Sequence, residues 1–385
     1  MTAGYVAIDG PIDGPTDRPI DGPLDGEIDG VIGGAIDGVR TIAVLRPNAV
    51  GDFVFSLPAL HALKHAYPEA RLIYLGKQWH ADFLRGRPGP IDEVIVLPPC
   101  PGITAAPDAE PAQEAAFVAA MREARLDLAI QLFGGGRYSN PLVQRLGARV
   151  TAGMQATGAV PLDRSLAYEG VVNRRLQLLE VAALAGAPVW PMQERLTLTP
   201  DDVAQAAPLI APDGMRPLVL IQPGASDARR CWPASHFAAV ADALARKGAS
   251  VAINGSAAEA PLVRSVLNAM EYPAVDLSGR ASLGALCGLL GRAALMVSND
   301  TGPLHLALAL GTPSVGIYWR TNVIESAPLQ QREHRALWSD KATCPICGVE
   351  NIHVRCSHEV SFVDDVAVDD VKRAASDLLS ARHFL

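Results

Sequence analysis

The sequence predicts an α/β protein built from two doubly wound domains that face a cleft. Short apolar runs alternate with stretches of helical spacing from residue 41 onward. The alternation is broken once, by a proline-rich link, and then restarts. Turn-forming residues follow the strand-like runs. Loops at the carboxyl ends of such strands converge on the crevice where α/β folds bind ligands.

A chain of 385 residues is long enough for two cores, and 49% apolar with 19% charged residues suits a soluble enzyme. No apolar run reaches the ~18–20 residues of a membrane span. The start, Met1-Thr2-Ala3-Gly4-Tyr5, lacks the basic-then-apolar order of a signal peptide. Six cysteines do not make a disulfide scaffold at this length, so a reducing cytoplasm is the expected location. The net charge of −8 is uneven: residues 1–38 hold seven Asp, Glu27 and only Arg18, a net of −7. The remaining body is close to neutral, which gives no reason to expect nucleic acid as a partner.

Residues 1–38 repeat Ile-Asp-Gly and its variants every four positions. One aliphatic in four cannot offset the entropy of ordering the segment, so an acidic, disordered tail is expected there. The first domain is assigned to 39–200. Its strands are expected at 41–46, 71–75, 93–97, 126–132 and 149–153, with an amphipathic helix over 53–67. Prolines 188, 191, 200, 208, 212 and 217 mark the link. The second domain, 201–385, repeats the pattern with strands at 218–222, 250–254, 275–277, 295–298 and 314–318. Helices are expected near 235–247, 258–270, 283–290 and 303–310.

Four loops carry candidate chemistry. Asp300-Thr301-Gly302-Pro303-Leu304-His305 follows an apolar run and opens a helix closed by Gly311. Asp300 or Thr301 can cap that helix, Pro303 fits its first turn, and Gly302 lets a ligand approach the backbone. The helix start then offers an anion site, to which His305 can add a donor. Asp52, after Gly51 at the exit of the first strand, serves either as general base on a hydroxyl or as a helix N-cap. Gln222-Pro223-Gly224-Ala225-Ser226, with Arg229 and Arg230 beyond it, offers hydroxyl and guanidinium donors to a diphosphate. Glu259, after Asn254-Gly255-Ser256, either accepts from ribose hydroxyls or favours a helix start through its charge. Gly134-Gly135-Gly136-Arg137 lacks the Lys-Ser/Thr of a P-loop and, with Ser139 and Asn140, is expected to shape an acceptor pocket. Asp364-Asp365 and Asp369-Asp370 read as solvated charge at a helix start.

Taken together these loops resemble glycosyltransferase family 9, the ADP-heptose:lipopolysaccharide heptosyltransferases and their relatives. The resemblance runs from Thr41 to the C-terminal helix and rests on three motifs. They are Arg46-Pro-Asn-Ala-Val-Gly-Asp52 with Ser56-Leu-Pro-Ala-Leu60, Pro223-Gly-Ala-Ser226 with Arg230-Cys-Trp-Pro233, and Asn299-Asp-Thr-Gly-Pro-Leu-His305. It implies a GT-B fold, with acceptor on the first domain and nucleotide sugar on the second. It also implies inverting transfer of a sugar, heptose above all, from an ADP-sugar to a lipopolysaccharide-core acceptor at the inner face of the inner membrane. The alternatives kept open are a protein acceptor and a GT-B sugar-nucleotide epimerase. Asp52 matches the family's base. Asp300, Thr301, Gly302 and His305 match its diphosphate-sugar site, Ser226 a phosphate contact and Glu259 a ribose contact. Arg230 stands where the family usually has Lys, which keeps the charge but replaces a compact ammonium by a planar fork. Such chemistry requires no cofactor.

Near the C-terminus, Cys344, Cys347 and Cys356, with His353 and His358 nearby, have the spacing of a structural zinc or iron site, for which Cys344, Cys347, Cys356 and His358 are the expected ligands. The same cysteines can equally stay reduced and unliganded. Cys100, Cys231 and Cys287 read as isolated thiols.

Overall fold

The computed structural model describes residues 34–104, 110–188, 195–210, 216–329 and 332–381. Residues 1–33 of the acidic tail, with all but the last of its repeats, lie outside the described residues. The final repeat is not a free tail, since Ile36 packs on the first core and its N–H donates to Tyr67 Oη at 3.3 Å. The first sheet holds β1 (Thr41–Leu45), β2 (Arg71–Gly76), β3 (Glu93–Val96), β4 (Leu128–Gln131), β5 (Val150–Gln155) and β6 (Arg164–Ala167), in the order β3-β2-β1-β4-β5-β6. The second holds β7 (Leu218–Gln222), β8 (Ser250–Ile253), β9 (Val275–Asp276), β10 (Leu295–Asn299), β11 (Ser314–Trp319) and β12 (His334–Ser339), in the order β12-β11-β10-β7-β8-β9. Every pairing is parallel. Each sheet thus reverses its strand order between its first and fourth strands, β1/β4 and β7/β10, and a crevice opens at that switch point. Two such units form the GT-B arrangement that the motifs imply.

The helices are α1 (Val50–Ala66), α2 (Gln78–Leu84), α3 (Pro111–Glu123), α4 (Ser139–Arg145), α5 (Arg174–Leu184), α6 (Pro200–Ala206), α7 (Ala234–Arg246), α8 (Ala260–Ala269), α9 (Leu283–Arg292), α10 (Gly302–Leu310), α11 (Arg320–Ser326) and α12 (Val368–Ser380). Two strands differ from expectation by their presence. β6 and β12 are edge strands with half-exposed, partly polar sequences, so neither shows the continuous apolar run of a buried strand. The proline-rich link contains α6, which Pro200 starts and which the reciprocal Thr199–Asp202 capping box closes at its N-terminus.

α1 holds the two halves together. The sequence suggested one apolar face, but Phe53, Val54, Phe55, Leu57, Leu60 and Leu63 are buried on several faces, because helices of both halves pack against α1 and leave it no solvent side. It packs against α5 of the first half and α10 of the second. One apolar core therefore runs from Ile42 and Leu178 through α1 to Leu286 and Leu306. A buried ion pair adds a second tie: Arg87 Nη1 and Nη2 each lie 2.7 Å from Asp202, and Arg87 also donates to the Thr197 carbonyl at 2.6 Å. Among the described residues no helix is long and apolar enough to cross a membrane.

Candidate functional site

Two helix starts meet where the switch points face each other. A Cβ placed on Gly51 would stand 2.9 Å from His305 Cδ2, and one on Gly302 would stand 3.2 Å from Val50 Cβ. A side chain at Gly51 would force His305 or a helix to move, and one at Gly302 would press on Val50. The first turn of α1, with Asp52, therefore abuts the first turn of α10, with Thr301, Gly302 and Pro303.

Asp52 does not cap α1: the N-cap is Ala49, without a side-chain bond. Its side chain stays 37% exposed and pairs with Arg46 Nη2 at 3.1 Å. Arg46 Nε also donates to the Asp52 carbonyl at 2.8 Å, and Nη1 donates to the Leu132 carbonyl. Tyr74 donates to the Arg46 carbonyl at 2.7 Å. Burial pulls the Arg46 pKa down and the Asp52 charge opposes that pull. The result is a carboxylate fixed on its inner side and open on the other.

α10 starts as the sequence suggests, with Pro303 in the first turn, and ends on Gly311 at φ 74. Two details correct the sequence reading. Neither Asp300 nor Thr301 caps with its side chain: Thr301 occupies the N-cap without a side-chain bond. His305 faces inward, 3% exposed, and donates through Nε2 to Asp300 Oδ1 at 2.9 Å, so it is not placed as an anion donor. Asp300, 3% exposed, also accepts from Ser326 Oγ at 2.9 Å and lies 3.4 Å from Arg230 Nη1. Burial pushes its pKa up, but the His305 bond and charge, Arg230 and Ser326 together hold it below the ordinary value. Burial lowers the His305 pKa, Asp300 opposes and Arg175 reinforces, so the imidazole stays neutral. What remains open to a ligand is the half-buried backbone of Thr301 and Gly302, whose helix-start N–H groups have no partner inside the helix.

Arg230 brings the other donor loop to this point. Its Nη2 donates to Ser226 Oγ at 2.7 Å while its Nη1 faces Asp300. Asn299 fixes the same loops from below, donating to the Pro223 carbonyl at 2.6 Å and accepting from Trp232 N at 3.1 Å. Glu259 closes a reciprocal box with Ser256, its Oε2 accepting from Ser256 N at 2.7 Å. Its other oxygen leans on Gly224, where a Cβ would fall 1.7 Å away. The helix-start role is thus filled, and the carboxylate still borders the β7 exit. Ser226, Arg230, Asp300, Thr301, Gly302 and His305 thus form one connected cluster, with Glu259 beside its β7 loop.

The structure adds Arg175, which sequence reasoning missed. It rises from the first turn of α5 and ends 1% exposed beside His305, donating to the Ser326 carbonyl at 2.5 Å. Gly134–Gly136 and Asn140 lie at the β4 exit. Asn140 Nδ2 donates to the Met154 and Val160 carbonyls, so this asparagine shapes the loop rather than facing a ligand. A cavity of about 600 Å³ between the halves is lined by Trp79, Phe83, Arg87, Asp202 and Ser282, and none of the residues of the cluster reaches it.

Cys344, Cys347, Cys356 and His358 present four ligand atoms within 4.8 Å of one another. Cys344 Sγ stands 3.7 Å from His358 Nδ1. Three sulfurs and one imidazole are the donor set that zinc or iron takes in tetrahedral sites, so these residues fit such an ion. The His358 and Asn351 hydrogen bonds bring the Cys356 thiol down to about 6, which favours the thiolate a metal needs. Cys100 and Cys287 are buried thiols raised to about 11 and about 12 by burial. Asp369 and Asp370 sit in the first turn of α12, as solvated charge there should.

The glycosyltransferase family 9 (heptosyltransferase) model matches residues 115–353. A lipopolysaccharide core heptosyltransferase of Haemophilus influenzae is 23% identical over 308 residues, covering 75% of this chain and 82% of the relative. Among solved structures, ADP-heptose lipopolysaccharide heptosyltransferase II of E. coli superposes with a TM-score of 0.71 at 20% identity, over 89% of this chain and 100% of that one. An E. coli heptosyltransferase solved with ADP gives 0.61 at 18% identity, over 88% and 100%. With the family match spanning more than half its length, and with both switch points bearing the family's motifs, the chain belongs to glycosyltransferase family 9, the heptosyltransferases, and is a glycosyltransferase.

Proposed function

We propose that the protein transfers heptose from ADP-heptose, with inversion, to a hydroxyl of a lipopolysaccharide-core acceptor at the cytoplasmic face of the inner membrane. The observation that carries this reading is the contact between the two helix starts, which sets an open carboxylate beside an anion-binding backbone. The Asp52 carboxylate takes the proton of the acceptor hydroxyl as that oxygen attacks the anomeric carbon. The bond from that carbon to the β-phosphate oxygen breaks, and its electron pair leaves with ADP. The α10 start, Arg230 and Ser226 stabilise the charge that develops on the departing diphosphate. Glu259 is positioned at the β7 exit to accept from the ribose. The ADP-bound relative and the lipopolysaccharide relatives support the choice of donor and acceptor.

Cys344, Cys347, Cys356 and His358 hold a structural zinc or iron in this reading, an ion that staples the C-terminal loop and takes no part in transfer. The deciding experiment supplies ADP-heptose and a heptose-deficient core acceptor, and follows ADP release together with the anomeric configuration of the product. Transfer with inversion supports the proposal. Turnover of the nucleotide sugar without acceptor points to an epimerase, and retention of configuration refutes the single displacement.

A further inference from the structure

The proposed mechanism makes no use of the most deeply buried cation near the site. Arg175 belongs to the first half of the molecule, yet its guanidinium lies among residues of the second. It donates to the Ser326 carbonyl at 2.5 Å and reaches the Ala327 carbonyl and His305 Nδ1 at 3.5 Å each. Its Cζ stands 4.5 Å above the Phe55 ring, and that ring meets the His305 ring edge-on at 4.5 Å. Next to it, Asn173 donates to the Ala327 carbonyl at 3.1 Å, and Arg174 pairs with Glu325 at 3.3 Å.

We propose that Arg175 is a positioning residue which reaches across the domain boundary to hold His305 in one neutral tautomer, and so keeps Asp300 aimed at Arg230. A guanidinium has only donors, so the His305 nitrogen facing it must be the acceptor. That assigns Nδ1 as unprotonated and Nε2 as N–H, which donates to Asp300 Oδ1. With one oxygen occupied by His305 and Ser326, Asp300 turns the other toward Arg230, whose second nitrogen holds Ser226. The chain Arg175, His305, Asp300, Arg230 thus runs unbroken from α5 to the donor loop. This inference rests on the transferase reading for its consequence, though not for its geometry.

The groups acting on His305 are Asp300 at the β10 exit, Arg175 of α5, Asp52 of α1 and, from β12, His334. Tyr318 of β11 acts on Arg175, and Glu325 of α11 faces Asp300. Asp300 and Asp52 favour the imidazolium, whereas burial and Arg175 oppose it. Removing Arg175 therefore lets His305 take a proton at higher pH. An imidazolium beside Asp300 competes with Arg230 for the carboxylate and loosens the donor loop.

The test compares Arg175→Met, Arg175→Lys and Arg174→Met by ¹⁵N spectra of histidine-labelled protein, by calorimetric titration with ADP, and by the pH profile of kcat/KM for the nucleotide sugar. In the unaltered protein His305 keeps the Nε2–H signature at neutral pH, because burial and Arg175 lower its pKa. In Arg175→Met protonation of Nδ1 sets in at higher pH than in the unaltered protein, and the acid limb of the kcat/KM profile moves in the same direction. Arg175→Lys keeps a cation and a donor, so it retains the original pH profile while the melting temperature drops. Arg174→Met, which removes an ion pair across the same boundary, leaves the His305 signature unchanged. Unaltered His305 spectra and pH profile in a folded Arg175→Met protein would overturn the proposal. If that variant does not fold, a pH profile in Arg175→Lys that departs from the original, or a His305 signature that shifts in Arg174→Met, would do so. If the unaltered protein neither binds ADP nor turns over a nucleotide sugar, the transferase reading fails, and the His305 spectra still decide the role of Arg175.

Discussion

Replacing Gly51 by alanine isolates the contact between the helix starts. The added methyl would sit 2.9 Å from His305 Cδ2. Ordinary carbon contacts are about 3.5–4.0 Å, so α1 and α10 must part, or His305 must shift, by roughly 0.6–1.1 Å. Two stability effects then oppose each other. Alanine in a helix gains up to about 1 kcal/mol over glycine, while overpacking costs about 1–3 kcal/mol, for a net loss of roughly 1 kcal/mol. Activity has no such compensation. A displacement near 1 Å between reacting groups costs on the order of 10²-fold. The assay is kcat for transfer at saturating donor, with melting temperature measured on the same samples. The rate loss should be far larger than the small change in stability accounts for. A Gly51→Ala protein with full activity and a raised melting temperature would refute it, because the two helix starts would then have room to spare.

Arg87→Met leaves Asp202 buried without its cation, though still bonded to Thr199, and should cost about 3 kcal/mol in denaturant unfolding. Arg87→Met with Asp202→Leu should recover much of that loss. Burial lowers His80 and His334 to about 3, whereas the unfolded chain holds them near 6.5. Below about 6.5 the unfolded state therefore binds protons that the folded state refuses, and stability falls as pH drops toward about 3. Each imidazole contributes about 2 kcal/mol of loss at about pH 5, visible as acid unfolding that His80→Gln and His334→Gln flatten. Purified protein should carry close to one zinc or iron per chain by elemental analysis, and Cys356→Ser should lower both that content and the melting temperature, with any effect on ADP affinity secondary. Metal content near zero in unaltered protein would exclude the site.

The sequence announced the parts of this molecule that obey local rules. β1, β7 and β10 are continuous apolar runs, and α10 has proline at its start and glycine at its end, so each was legible without a structure. β6 and β12 escaped because edge strands need no apolar continuity. Asp52 was legible as a carboxylate at a strand exit, but the choice between cap and open acid depended on Ala49 already holding the N-cap position. His305 sits one turn into α10, and nothing local fixes which way a side chain there turns. Burial against Phe55 and the Asp300 carboxylate turned it inward.

Arg175 lies 130 residues from its histidine partner, a separation no local pattern bridges. One signal was available. Arg174 and Arg175 open α5 with two cations at the positive end of a helix, an arrangement that local electrostatics disfavours. Such conflicts with local rules mark places where tertiary structure or function imposes the residue. The four metal-type ligands were all legible by spacing, whereas their convergence within 4.8 Å required the Cys344–His358 loop to fold back on itself.

The measurement that bears most directly on the central claim pairs ADP affinity with single-turnover transfer in Asp52→Asn. The amide preserves the size of the side chain and its reach to Arg46, but it cannot accept the acceptor's proton. The account predicts ADP binding within about twofold of the unaltered protein and a transfer rate lower by about 10²–10⁴-fold. Transfer at the original rate would contradict the claim, and so would a loss of ADP binding as large as the loss of rate.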